Sequence, residues 1–232
     1  MQKLDSITEQ IRKNFDARTA ARDRALAQAR QLTRACSLAI RAVHRDEADT
    51  MKQQLEEARG LAETLKRDLA DHTDLFHAGY TQDALKEFVE ANVTCALIQD
   101  QPLLTPQDLG VEDATYLNGL AEVIGELRRR TLDILRHGYS QEAERLLACM
   151  DDIYSVLVTM DYPDAITNGL RRQTDVARSI IEKTRGDITI SLRGEQLEQS
   201  IGRLSAQLNG TQAEGREDAP HAGVIGVPDQ ED

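Results

Sequence analysis

"YLNGLAEVIGELRRRTLDILRHGYSQEAERLLACM", residues 116–150, decides the fold. Leu117, Leu120, Ala121, Ile124, Leu127 and Leu135 recur at three- and four-residue steps, the spacing that lines side chains on one stripe of an α-helix. The pattern predicts a helix over 112–136. "HGYS" at 137–140 then supplies a Gly terminator and a Ser cap, and a second helix follows to about residue 160. With no two-residue alternation, this unit is a pair of helices joined by a tight turn, antiparallel neighbours in a bundle.

The rest of the chain reads in the same way. "SITE" at 6–9 has the form of a capping box. The apolar residues Ile7, Ile11, Phe15, Leu26, Leu32, Cys36, Ala39, Ile40 and Val43 then trace a first helix of about 35 to 40 residues. Asp46 is the expected N-cap of a strongly charged second helix ending near residue 72, and a third covers 81–99. "LLTPQDLGVED" holds one helical turn, with Thr105 as cap, Pro106 at the first position and Gly110 at the end. "DYPDA" opens a last long helix over 163–193. The expectation is one all-α domain over 1–206. Residues 207–232, rich in Gly, Pro and acids without periodicity, read as a disordered acidic tail.

Composition narrows the function. Aromatic residues are only 3% and Trp is absent, which disfavours modules that grip single strands by stacking bases on exposed rings. Cys36, Cys95 and Cys149 lie far apart among apolar residues, as buried free thiols do. No apolar run is long enough to span a membrane and the N-terminus lacks the apolar core of a signal peptide, so a cytoplasmic protein without membrane contact is expected. The net charge of -12 is unevenly spread: residues 1–45 carry ten Lys or Arg against four Asp or Glu.

On a helical wheel Arg12, Arg30, Arg34, Arg41 and Arg45 fall within an arc of about 60° opposite the apolar side of the first helix. They form either a solvated face paired to Asp16 and Asp23 or a surface that tracks phosphates, with Arg128, Arg129 and Arg130 in addition. Glu122 and Glu126 lie opposite the core stripe of their helix, where a plain polar face is the simplest reading. Glu87 and Glu90 differ, because they border "ANVTCALI", a segment apolar on nearly every side. A carboxylate beside such a segment is partly desolvated and needs a cation or a proton. If the third and fourth long helices pack side by side, the four acids converge, and Mg²⁺, with Mn²⁺ as a substitute, is the natural occupant. Such a cluster suits phosphodiester hydrolysis. Paired His spacing, a Gly-rich phosphate loop and a G-x-S-x-G elbow are all missing.

"LKEFVEANV", "YLNGLAEVIGELRRR", "HGYSQEAERLLACMDDIYSVLV" and "ARSIIEKTRGDITISLRG" resemble, in order and spacing, the translin family, including the translin-associated factor X type. The resemblance covers about residues 81–194 well and the N-terminal helices more loosely. It implies a seven-helix all-α protein with long antiparallel helices, assembled as a homo-oligomer, typically an octamer, that binds single-stranded RNA and DNA. The factor X type adds a Mg²⁺-dependent ribonuclease site in the patterns E-x-x-E and D-x-x-x-E. Glu87 and Glu90 match the first. Glu122 and Glu126 match the second with one departure, Glu in place of Asp at 122, which moves the carboxylate by about 1.5 Å. The expected function is a single-stranded RNA- and DNA-binding protein with Mg²⁺-dependent endoribonuclease activity, with Glu87, Glu90, Glu122 and Glu126 as catalytic and metal residues. Two other readings stay open: a non-catalytic nucleic-acid-binding scaffold, and a helical assembly protein that binds no nucleic acid.

Overall fold

The computed structural model describes residues 2–214, and every regular element among them is helical. The long helices are α1 (Gln2–His44), α2 (Ala48–Asp68), α4 (Gly79–Ile98), α6 (Asp113–Leu135), α7 (Gln141–Thr159) and α9 (Leu170–Glu214). Single turns α3 (Thr73–Phe76), α5 (Pro106–Leu109) and α8 (Asp164–Thr167) lie between them. The six long helices and the Thr105 turn make up the expected seven; α3 and α8 are additional turns.

Side-chain caps set two of the boundaries. The Thr105 hydroxyl accepts the Asp108 N–H at 3.1 Å while the Asp108 carboxylate accepts the Thr105 N–H at 2.9 Å, a reciprocal cap, and Gly110 ends the turn at φ 61°. Ser140 caps α7 through the Glu142 N–H, as expected. Other boundaries differ. Asp46 sits at φ 58° in the tight turn after α1, and Glu47 takes the N-cap position instead. The helix expected from residue 163 is cut by Asn168 and Gly169, both at positive φ, into α8 and α9. At the other end, α9 continues to Glu214, so the expected tail boundary at 207 falls inside a helix. Residues 215–232 of that tail lie outside the described residues.

Cross-helix contacts give the topology. Gln82 meets Thr115 and Lys86 meets Glu122, so α4 and α6 run parallel. Glu122 meets Gln173 and Arg128 meets Thr184, so α6 and α9 are parallel too. Cys95 lies against the Ala39 carbonyl, aligning α1 with α4. The bundle is therefore a layer of four parallel helices, α1, α4, α6 and α9, backed by antiparallel α2 and α7. Sequential neighbours are antiparallel except α4 and α6, because residues 99–112 carry the chain back before α6 begins.

The core joins Leu32, Leu65, Leu85, Phe88, Val89, Ile124, Leu127, Leu146 and Met150. Where α4 and α6 cross, Gly119 is indispensable: a methyl there would sit 2.7 Å from Val89 Cβ and 3.1 Å from the Lys86 carbonyl oxygen. The α1 face of the core is built from Ala21, Ala25, Ala29, Ala35, Ala39 and Ala42, small residues that let neighbouring helices approach. Ile7, Ile11 and Phe15, expected in the same stripe, are exposed, Phe15 by 62%.

Candidate metal centre

The close approach of α4 and α6 at Gly119 sets the distance between their acids. Glu87 and Glu90 lie three residues apart on one face of α4, and Glu122 faces them from the next turn of α6. One carboxylate oxygen from each lies within 4.8 Å of the others. Glu90 is the most enclosed, and its carboxyl is pushed up to about 8, first by burial and then by the charges of Glu87, Glu122 and Glu126. Glu87 is raised as well, by burial and then by Glu122. Neither Glu87 nor Glu90 has a hydrogen bond or ion pair among the described residues. Beneath them on α1 lies the buried thiol of Cys36, raised by burial and then by Glu87 and Glu90.

Lys86 and His44 flank the acids. Lys86 Nζ donates to Glu122 Oε1 at 2.7 Å, leaving Glu122 Oε2 open. His44, at the end of α1, places Nε2 2.5 Å from Glu126 Oε2, and Arg129 adds a longer contact of 3.5 Å to the same oxygen. The His44 hydrogen bond and charge, with Arg129, hold the Glu126 carboxyl below the usual carboxylate range against the opposing effect of burial. Three of the four expected acids thus converge, Glu87 and Glu90 with raised proton affinity, and the fourth stands beside them, ionised and held by α1. An all-oxygen, partly exposed donor set of this kind suits a hard divalent cation that keeps some of its water.

The chain is 33% identical over 192 residues to an uncharacterised protein of Methanocaldococcus jannaschii, a match spanning 82% of this chain and 85% of that one. Its fold superposes on the crystal structure of AfC3PO with a TM-score of 0.74 at 32% identity, covering 80% of this chain and 97% of AfC3PO. AfC3PO bound to duplex RNA matches at a TM-score of 0.72 with the same identity. Apo-NeC3PO, at 20% identity and a TM-score of 0.72, shares the fold. This chain belongs to the translin (C3PO) family. No family model matches it.

Within this translin-family bundle the expected arginines divide into two groups. Arg12, Arg30, Arg34, Arg41 and Arg45 are all exposed along α1. Arg12 has a loose contact with Glu9 and Arg30 turns back to the Leu26 carbonyl, whereas the side chains of Arg34, Arg41 and Arg45 make no hydrogen bond or ion pair among the described residues. Asp23 pairs with Arg22 rather than with the stripe. The α6 arginines are different. Arg128 bonds Thr184 at 3.0 Å and Asp187 at 2.9 Å, tying α6 to α9. Arg130 bonds the His44 carbonyl and Asp46, tying α6 to the end of α1. Only Arg129, whose side chain is 54% exposed, remains open to a ligand.

Sequence reading missed His44, Lys86 and Gln173 at this site. His44 lies 82 positions from Glu126 with no motif to link them, and Lys86 is one of six lysines, all on helices, with nothing local to set it apart. A weak signal existed for His44 alone, a histidine following the apolar run that ends at Val43.

Proposed function

We propose that this chain is a cytoplasmic, homo-oligomeric RNA-binding protein of translin type with Mg²⁺-dependent endoribonuclease activity on single-stranded RNA. The observation that carries the reading is the convergence of Glu87, Glu90 and Glu122 within 4.8 Å, two of them without a protein partner. Mutual repulsion of three enclosed carboxylates is relieved by a divalent cation. A Mg²⁺ ion held there would stabilise charge on the phosphate oxygens and make bound water a better nucleophile. Glu126, ionised and fixed beside the set, accepts the proton of the attacking water. Lys86 offsets the negative charge of Glu122, with which it pairs at 2.7 Å. The Arg34, Arg41 and Arg45 face of α1, together with Arg129, holds the RNA backbone through forked donors.

AfC3PO has been crystallised with duplex RNA. Phosphate contacts of the kind α1 offers do not distinguish one strand from two, so binding to both forms, and to single-stranded DNA, is expected, with cleavage confined to single strands. Labelled single-stranded and duplex RNA incubated with Mg²⁺, with Mn²⁺ and with chelator test the reading. Cutting that survives chelator, or full activity in Glu90→Ala and Glu122→Ala, would sink it. The second reading, a non-catalytic scaffold, is favoured by one observation: Lys86 already supplies a cation to Glu122. It predicts RNA retention that falls with salt, tolerates chelator and leaves the RNA intact.

A further inference from the structure

We infer that His44 is a positioning residue, which keeps Glu126 out of the ion-binding set and fixes it beside the set as the carboxylate that handles water. The inference rests on the nuclease reading above. The His44 side chain is only 3% exposed, and among the described residues its one polar contact is Nε2 to Glu126 Oε2, Nδ1 being buried without a hydrogen bond. A buried imidazole whose single satisfied atom is aimed at one carboxylate is there for that carboxylate. Its position is set independently of Glu126, because Arg130 donates to the His44 carbonyl at 3.2 Å and grips Asp46 at 2.7 Å, locking the end of α1 onto α6. Both protein contacts to Glu126 fall on Oε2, leaving Oε1 without a partner among the described residues. Glu87, Glu90 and Glu122 gather their oxygens within 4.8 Å while Glu126 is drawn toward α1. One oxygen held and one free is the arrangement that orients a water beside an ion, and residues that hold such a group typically affect rate more than ligand affinity.

Two measurements test this. In Mn²⁺ titrations of the full chain followed by electron paramagnetic resonance, Glu90→Gln and Glu122→Gln weaken binding by about tenfold or more, whereas Glu126→Gln and His44→Gln stay within about threefold of wild type. A tenfold loss in Glu126→Gln makes Glu126 a ligand and overturns the inference. In steady-state cleavage of single-stranded RNA, His44→Phe lowers kcat by about 10- to 100-fold with KM little changed. His44→Gln, whose amide N–H replaces Nε2–H, restores most of it. In a Glu126→Gln background His44→Phe has no further effect. An equal further loss there shows that His44 acts through something else. If His44→Phe does not fold, His44→Gln and His44→Asn make the same comparison, since Asn falls short of Glu126. Wild-type chain that cuts no RNA with Mg²⁺ defeats the nuclease reading, and the Mn²⁺ titrations still decide whether Glu126 lies outside the ion set.

Discussion

At the scale of single residues, two glycines six positions apart on α6, Gly119 and Gly125, behave oppositely. Gly119 lets α4 touch α6, and Gly119→Ala places a methyl 2.7 Å from Val89 Cβ, an overlap that costs about 1–3 kcal/mol if the helices separate to relieve it. Gly125 has open space around its Cα, and Gly125→Ala gains up to about 1 kcal/mol from helix propensity. Thermal unfolding should order the three proteins Gly125→Ala, wild type, Gly119→Ala, and Mn²⁺ affinity should fall only in Gly119→Ala. Glu90 gives a second residue-level prediction, with a definite sign. Its carboxyl is raised to about 8 in the folded chain from an ordinary 4.5, so near neutral pH the folded form holds a proton that the unfolded chain has released. Without divalent ions that stabilising difference is full below the unfolded value and is lost as pH rises toward the folded one. The melting temperature in chelator should therefore fall between about pH 5 and about pH 8, and Glu90→Gln should flatten the slope. Glu87 and Glu90 were legible in the sequence because they border an apolar segment. The partition that isolates Glu126 was not, since it depends on His44, brought in from another helix by tertiary packing.

At the scale of elements, the arginines separate into two functions according to what their helices face. Arg128 lies between α6 and α9 and is spent on Thr184 and Asp187, so Arg128→Ala should lower stability by about 1–3 kcal/mol while leaving RNA affinity per folded molecule unchanged. Arg34 and Arg41 lie on the exposed face of α1 with no side-chain partner among the described residues, and the double charge reversal Arg34→Glu, Arg41→Glu should leave the melting temperature near wild type. It should also weaken filter retention of RNA markedly and reduce its salt dependence. Retention unchanged by that reversal would remove α1 from the RNA surface. The helices themselves were readable from apolar periodicity, Gly138, Ser140 and the Thr105 cap. Their directions were less so. The expectation of antiparallel sequential neighbours holds for α1 with α2 and α6 with α7, but the loop over 99–112 returns the chain and makes α4 and α6 parallel. Parallel packing puts the matched turns bearing Glu87, Glu90 and Glu122 at one level, which no local pattern reveals.

At the scale of the whole molecule, the register that builds the site also leaves two helices longer than the bundle. His44 is level with Glu126, yet α1 extends 42 residues before His44 and α6 only 13 before Glu126, so α1 runs on for roughly 40 Å beyond the start of α6. Thr184 is level with Arg128, and by the same reasoning α9 runs on for roughly 35 Å past the end of α6, at the opposite end of the bundle. Each extension carries an uncovered apolar stripe: Leu4, Ile7, Ile11 and Phe15 on α1, and Ile190, Leu197, Ile201 and Leu204 on α9, with Phe15 and Leu197 each 62% exposed. Eight large apolar side chains at helical spacing are more than a monomer leaves in water, and copies of this chain are the partners the proposed homo-oligomer supplies. The stripes lie far from Glu90, so changing them tests assembly without touching the acids. Ile11→Glu with Phe15→Glu, and separately Leu197→Glu with Ile201→Glu, should each convert the assembly to smaller species in light scattering and sedimentation. Helix content and Mn²⁺ affinity should stay at wild-type values, because none of these side chains contributes to the core or the centre. If both pairs leave the mass unchanged, the extensions are not the contacts between copies, whereas loss of mass in only one pair identifies a like-with-like interface at that end. Loss in both, with a two-chain species appearing only on mixing the two variants, requires α1 of one copy to meet α9 of another, since only a mixture then offers one intact stripe of each kind.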